Sequence, residues 1–476
     1  MARVLVLGAG IGGLSAAIHA RLKGHDVTVI EKSGSVGGKA VARVHKGYRL
    51  ELGPSIVILV DIYRHIFQSA GRNPDDYLRF HQLDPVTRVY FQGREPFDIP
   101  AGREQALEEL RSLFPVDAKS LDELFSSLDK AMPLIERTIF DHPLDQIWKF
   151  LNADLMKMGK WLPVRQKYKA FIDARFQSPI LRAFLYGFPS YGGQSYHSVA
   201  PGALLIPYLM LNDGVWYPEG GIGAMPESLY RLAQDIGVQF LLEAEVQSFL
   251  IEGKRIAAVQ TNQGSIPAEF VISNIDRITT ENLLGRSQNP EPSYSYFTIS
   301  IGIPKELEGL AHHNLFIPAD FQAGFRQLYE ANEPPRAPII YLNAPSVTDD
   351  SSAPRGCSNL FVVVTVPSMR SSWTWKEIQA EYREKLLGEF EKYGIQLDPA
   401  EFEFEIVQTP ETFATRDGNY LGSLYGPSQE ERLFGMVPLR NYDERLANLA
   451  YCGASVQPGA GMPMAALSGK FATSRL

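Results

Sequence analysis

The sequence predicts an α/β protein of several domains: a parallel-sheet nucleotide unit, a separate α+β domain and a helical subdomain. Three stretches carry the prediction: Arg3 to Lys39, the closing residues from Leu449, and the strand-rich run between them. In the first, an apolar run (Val4 to Leu7) stops at Gly8, and Gly8, Gly10 and Gly13 fall in G-x-G-x-x-G register. A helical segment, Leu14 to Lys23, follows, then a second apolar strand, Val27 to Ile30, which ends in Glu31. Strand, glycines, helix, strand and acid in this order are the mark of a Rossmann-like dinucleotide site. Gly8 allows the tight turn, Gly10 lets backbone approach a pyrophosphate, and Gly13 lets helix pack closely on strand. Ile11 and Gly12 belong to the same loop, where the helix N-terminus offers free N–H groups to phosphate. Glu31, followed by Lys32, is placed to accept from the ribose hydroxyls.

A second glycine pair tells which dinucleotide. Val36-Gly37-Gly38-Lys39 follows the acid, bringing more backbone N–H groups and one cation towards the pyrophosphate. A Gly-Gly-basic element in that place marks the flavoprotein branch of the fold, so FAD is the expected cofactor. No second G-x-G-x-x-G occurs, and Gly220-Gly221-Ile222-Gly223 lacks both the spacing and a preceding apolar strand. Without a second nucleotide site, electrons are expected to enter from the substrate, as in an oxidase or dehydrogenase.

At 476 residues the chain is long enough for two or three domains. FAD-binding pieces are expected at 1–75, 215–285 and 441–476, and substrate-domain pieces at 76–105 and 286–440. Residues 106–214 are expected to form the helical subdomain. A net charge of -8 argues against a nucleic-acid partner. Two distant cysteines, Cys357 and Cys452, make neither a disulfide framework nor a metal site, and a reducing compartment suits them. No metal is expected. The longest central apolar run, Ala203 to Leu211, is far short of the roughly 20 residues a membrane span takes. A cytoplasmic, peripherally membrane-associated protein is the expectation.

Tyr48 to Ser55 reads as a strand ending in the Gly53-Pro54 turn, and Gly53, Pro54 and Ser55 are taken as cofactor contacts. Arg103 to Leu113 and Leu121 to Ile135 have helical apolar spacing. From Trp148 to Arg182 the chain turns basic, with Lys149, Lys157, Lys160, Arg165 and Lys167 among its cations. Phe150, Leu151, Trp161, Tyr168, Phe171 and Phe176 are interleaved. Such a segment suits either an anionic membrane surface or an ordinary solvated helical face. After a helix that has Pro226 in its first turn, Val238–Leu242, Glu245–Ile251, Arg255–Thr261 and Ser265–Ser273 read as a meander, with Val246 near the adenine. Strands Ser295–Ile303, Leu360–Pro367 and Glu401–Val407 and a charged helix, Lys376–Tyr393, suit the α+β substrate domain.

At the C-terminus a strand (Leu449 to Cys452) runs into Gly453 and Ala454, then Pro458-Gly459-Ala460-Gly461-Met462-Pro463, then a helix of small residues. This junction aims a positive helix end at something negative. With the phosphates already held, the target is the flavin ring, where the helix end would favour the reduced, anionic form. Gly453, Ala454, Gly461, Met462 and Pro463 therefore join the cofactor set.

Taken together, GAGIGGLSAA, VGGKA, LELGPS, LLIPYLMLNDGVWYPEGGIGAMPESLYRLA, ISNID, GLAHHNLFIPADF, APRGCSNLFVVVTVP and PGAGMPMAALSGK make the chain resemble the bacterial carotenoid (phytoene) desaturase family. The resemblance runs nearly end to end. It implies FAD, a long apolar polyene substrate drawn from a membrane, and no need for NAD(P)H. Lys39 stands where arginine is usual, keeping the charge but losing the bidentate fork. Cys452 stands where a small residue is usual.

Desaturation removes a hydride to the flavin and a proton to a base, with oxygen or a quinone as final electron acceptor. Asp154 is the candidate base, with Lys157 one helical turn later to hold it ionised; a surface ion pair is the competing reading. His312-His313 is read as a loop or packing pair. A carotenoid isomerase or saturase, a flavin amine oxidase and a non-redox prenyl carrier share the architecture and stand as alternatives.

Overall fold

The computed structural model describes residues 1–143, 153–162, 166–197, 201–369, 373–428 and 439–476. The nucleotide half is built on five parallel strands, in spatial order Leu449–Tyr451, Phe270–Ser273, Arg3–Leu7, Asp26–Ile30 and Gln239–Leu241. A parallel sheet is covered on both faces, so its strands are apolar throughout rather than alternating. Val4 and Val6 pack on one side against the first helix (Ile11–Leu22). Leu5 and Leu7 pack on the other against Ile256 and Val259 of a small antiparallel sheet. That small sheet contains Val246–Glu252, Arg255–Thr261 and Gly264–Pro267.

The expected meander is therefore divided. Its first strand and the end of its last belong to the parallel sheet, and only the middle forms the antiparallel one. The break in Ser265–Ser273 falls after Pro267, which has no N–H to carry a ladder onward. Phe270–Ser273 then buries completely between two parallel neighbours.

The first helix and the C-terminal helix (Met462–Ala472) lie against each other. Small residues make this possible: a Cβ on Gly469 would lie 2.5 Å from the Gly12 carbonyl oxygen and 2.7 Å from the Ala16 nitrogen. Ser15 Oγ donates to the Ala466 carbonyl across the same seam, at 2.6 Å.

The second sheet has seven strands, in the order Phe404–Gln408, Ser295–Ile303, Ser358–Val366, Ile340–Asn343, His313–Ile317, Thr87–Phe91 and Phe97–Ile99. Here the period of two is visible. Phe297, Ile299, Ile301, Val362 and Val364 share one core with Trp375, Tyr382 and Leu386 of the helix Trp375–Glu389. The alternate residues Tyr296, Thr298, Val363, Thr365, Tyr341 and His313 lie on the opposite face and line cavities. The expected helix Lys376–Tyr393 is α-helical to Glu389 and ends as a 3-10 turn, Phe390–Tyr393.

Over that opposite face lie helices Arg103–Leu113, Ala118–Ile135, Ala153–Trp161, Tyr168–Asp173, Pro179–Tyr186 and Leu205–Asn212. Asp117, fully buried, ties this part together by accepting from the Gln177 and Ser178 nitrogens at 2.6 and 2.8 Å. Of the basic-aromatic segment, Trp148, Lys149, Phe150, Leu151 and Arg165 lie outside the described residues. Tyr168, Phe171 and Phe176 are buried in the helical core, while Lys157, Lys160 and Lys167 are exposed. Those three aromatics are core residues, and the cations form the outer face. No helix among the described residues is long and apolar enough to cross a membrane.

Candidate active site

Two cavities meet in the middle of the molecule. The first, of about 660 Å³, is a cleft between the nucleotide half and the seven-stranded sheet. Its wall carries most of the residues the sequence assigns to a dinucleotide: Gly8, Gly10, Ile11, Gly12, Glu31, Lys32, Gly37, Gly38, Lys39, Gly53, Pro54, Val246, Gly453, Ala454, Gly461 and Met462. Gly13 does not touch the cleft. A Cβ there would lie 2.0 Å from the Gly8 carbonyl oxygen, so its service is close packing of helix on turn. Gly8 itself has φ +95°, a conformation that favours glycine.

The local chain explains each wall. Glu31 ends its strand at 7% exposure, and its two oxygens accept from the Ala9 nitrogen (2.7 Å) and the Ser33 nitrogen (2.9 Å). A carboxylate has about four acceptor sites, so it retains capacity for two hydroxyls. The two glycine loops are joined by a bridge between Gly10 and Gly37, with the Gly37 nitrogen donating to the Ala9 carbonyl at 2.9 Å. The N-termini of the first and last helices both border the cleft, and neither has a side-chain cap. Two uncapped positive helix ends at one cleft are suited to an anionic ligand.

Asn274, in the ISNID segment, is a site residue the motif reading missed. A Cβ on Gly10 would lie 2.8 Å from its Nδ2, one on Gly12 2.6 Å from its Oδ1, and one on Gly453 3.0 Å from the same oxygen. Gly10 and Gly12 are therefore small for Asn274 as well as for any phosphate. Nothing in the local sequence shows this, because the contact crosses more than 260 residues. Thr298, Arg416, Asp417 and Asn419 on the facing wall were missed for the same reason. Thr298 Oγ1 is buried there without a hydrogen-bond partner among the described residues.

Lys39 lines the cleft and also has partners in the protein. Its Nζ donates to the Leu424 carbonyl at 2.6 Å. Burial lowers its pKa, while Asp417 and Asp276 pull the other way and balance its charge. It ties the second glycine loop to Leu424 on the facing wall of the cleft.

The second cavity, of about 500 Å³, runs between the seven-stranded sheet and the helical part. Leu, Ile, Phe, Met, Ala and Pro side chains make up most of its wall, and no Asp, Glu, Lys or Arg lines it among the described residues. Ser55 and Pro463, expected beside the cofactor, line this cavity instead of the cleft. Gly53, Pro54, Tyr296, Tyr425, Gly461 and Met462 border both, so the two spaces adjoin there. Tyr296 donates to the Ser190 carbonyl at 3.1 Å, with Tyr425 beside it on the same wall. Burial pushes both phenols up, so they stay protonated.

Asp154 and Lys157 are not at either cavity wall. Met158 of the same helix and Leu162 just after it line the apolar cavity, but Asp154 lies one turn away from Met158, paired with Arg137 (3.2 Å) and Lys157 (3.9 Å). The ion-pair reading of these two describes their contacts. Of the loop and packing readings of His312 and His313, packing describes them. Both are buried, His313 begins a strand of the seven-stranded sheet, and burial pushes His312 down to about 3. Among the described residues no group of three His, Cys, Asp or Glu side chains is arranged to hold a metal.

The model of the flavin containing amine oxidoreductase family matches residues 11–476, nearly the whole chain. The chain belongs to that family. FAD is its cofactor, and the glycine loops, Glu31 and the uncapped helix ends fit it. A zeta-carotene-forming phytoene desaturase of Myxococcus xanthus is 31% identical, over 100% of this chain and 93% of its own. A 4,4'-diapolycopene oxygenase of a Methylomonas species is 30% identical, over 100% of this chain and 98% of its own. Among solved structures, an oxidoreductase from Methanosarcina mazei superposes with a TM-score of 0.67 at 16% identity, covering 98% of each chain. That last likeness shows the fold.

Replacing Glu31 by Gln sets an N–H against one of the two backbone donors it now accepts from. Charge-assisted bonds contribute about 1.5–3 kcal/mol, so E31Q is expected to weaken FAD binding roughly ten- to a hundredfold. Gly10→Val forces Asn274 out of place and is expected to empty the site. Flavin absorbance per mole of purified protein reads both, and full occupancy in the two variants would remove the cleft from consideration.

Proposed function

We propose that this chain is an FAD-dependent desaturase of the carotenoid pathway, acting on a long isoprenoid polyene such as phytoene or a related precursor. The observation that carries the reading is the uncharged, mostly apolar cavity adjoining the flavin cleft at Gly53, Pro54, Gly461 and Met462. A hydrocarbon loses nothing on entering such a wall, whereas an ion or a sugar would leave its polar groups without partners. The two carotenoid-acting relatives, matched end to end, support the same substrate class.

FAD, when bound, supplies the acceptor for hydride; the protein's task is to hold a substrate C–H against it in a dry place. Glu31 and the glycine loops are proposed to hold the adenosine and pyrophosphate end. The N-terminus of the last helix, at Gly461 and Met462, is proposed to face the ring, its partial positive charge favouring the reduced form. Positive charge developing on an allylic carbon spreads along the conjugated chain, and the rings of Tyr296 and Tyr425 flank the place where it forms. Met462, Pro463 and the Leu and Ile wall exclude water from it. Oxygen or a quinone is proposed to take the electrons on. An amine substrate would find no carboxylate on the described wall, which favours the polyene over the amine reading.

A C30–C40 hydrocarbon has almost no aqueous concentration, so we place the protein at a membrane surface, touched by the exposed Lys157, Lys160 and Lys167 with exposed Met156 beside them. Removing the three charges is expected to cost about 1 kcal/mol each in binding to anionic liposomes, and added salt to act the same way. Sedimentation unchanged by both would assign these lysines to a plain solvated face. The activity itself is tested by expressing the chain in cells that make C30 or C40 precursors and analysing the pigments. New conjugated double bonds in one of the two backgrounds are expected; colourless precursor recovered intact from both would defeat the desaturase reading.

A further inference from the structure

Next to the apolar cavity lies a second, smaller void of about 30 Å³, between the strands Thr87–Phe91 and Phe97–Ile99 and four of the helices that cover the sheet. Apart from Thr87, every described side chain around it is apolar. All but Phe184 are buried, so the void sits inside the helical core rather than at the surface. It shares Thr87, Phe184, Phe188 and Met210 with the wall of the apolar cavity, and no residue with the flavin cleft. Those four residues stand between the two apolar spaces.

Phe184 lies in the last turn of the helix Pro179–Tyr186, and Phe188 opens the 3-10 turn that follows it. Their rings meet edge to face with centroids 5.2 Å apart. Met210 reaches the same place from the helix Leu205–Asn212, and Thr87 from the sheet. A space of 30 Å³ takes about one water-sized group, so the void by itself holds no ligand. An apolar void of this kind stays dry, and a hydrocarbon entering it has no water to displace. Removing one phenyl ring would join the void to the cavity and leave room on the order of a benzene molecule. In carbon count that is about one isoprene unit. Symmetric C30 and C40 polyenes differ by one isoprene unit in each half.

We propose that Phe184, Phe188 and Met210 form a septum that closes the inner end of the substrate cavity and sets the length of polyene half it accepts. With the septum closed the C30 class is favoured; opening it admits the longer half of a C40 chain. The assignment rests on the cavity being a polyene site, and it names the size class within that reading.

The test uses acyclic C30 and C40 polyenes of the same conjugation, each titrated in detergent micelles into the FAD-loaded protein with tryptophan fluorescence as readout. The unaltered protein is expected to bind the C30 chain more tightly. In Phe188→Ala the ratio of C40 to C30 affinity is expected to rise at least about tenfold, the scale on which an apolar pocket discriminates by size. Met210→Ala is expected to raise it severalfold. Leu128→Ala enlarges the void at a wall residue that does not border the cavity, and is expected to leave the ratio unchanged. Should Phe188→Ala fail to fold, Met210→Ala decides in its place against the same comparison. An unchanged ratio in the septum variant, or an equal rise in Leu128→Ala, makes these side chains plain core packing and overturns the septum. A C40 chain bound as tightly as C30 by the unaltered protein overturns it too, and leaves the polyene reading standing. Binding of neither chain overturns both.

Discussion

The close contact between the first and last helices is what the rest of the molecule depends on. Gly12 and Gly469 allow backbone to meet backbone at distances no side chain would permit, and Ser15 bonds across the seam. Because the helices touch along their length, their N-termini arrive at one cleft from opposite ends of the chain. Asn274 fills the angle between the first glycine loop and Gly453, in close contact with Gly10, Gly12 and Gly453. A Cβ at any of these positions would widen the seam and separate the two positive helix ends. The cleft's affinity for an anion is a property of that packing more than of any one side chain.

From this cleft the electrostatic character changes abruptly. On one side stand Glu31, Lys32, Arg416 and Asp417; past Gly53-Pro54 and Gly461-Met462 the wall has no charge among the described residues. The seven-stranded sheet makes the change with a single strand. Thr298 borders the cleft, Tyr296 borders both spaces, and the intervening Phe297 serves the core behind. Alternation along one strand thus supplies a cleft-wall residue, a boundary residue and structural packing from three successive positions. The chemistry proposed for the chain needs this juxtaposition, since a polar cofactor and an apolar substrate must meet without admitting water.

How much of this was legible in the sequence follows from the range of each contact. Gly8, Glu31 and the Gly37-Gly38 pair act on neighbours within some 30 residues, so their spacing revealed them. The C-terminal junction was readable because strand, glycines and helix are again local. Asn274 was not, although ISNID stood out as a segment, because its partners lie at both ends of the chain. Asp154 misled for the opposite reason: a carboxylate among cations looks singular in sequence, but on the helix it lies one turn past the cavity, and Arg137 takes it. The aromatics near it suggested a surface, and burial of Tyr168, Phe171 and Phe176 shows that the same period describes a core. GVWYPEGGIGAM became intelligible only with Glu51. That buried carboxyl, pushed up to about 7 by burial, accepts from the Ile222 nitrogen at 3.0 Å, and a Cβ on Gly221 would sit 2.2 Å from its Oε1.

The central claim is that the apolar cavity delivers a polyene C–H to the flavin. The most direct measurement is anaerobic: FAD-loaded protein is mixed with liposomes carrying an acyclic polyene, without any other electron donor, and the visible flavin absorbance is followed. Bleaching in proportion to new double bonds formed in the polyene is the predicted result. A flavin that stays oxidised with every polyene supplied, yet bleaches with a simple amine, would contradict the account.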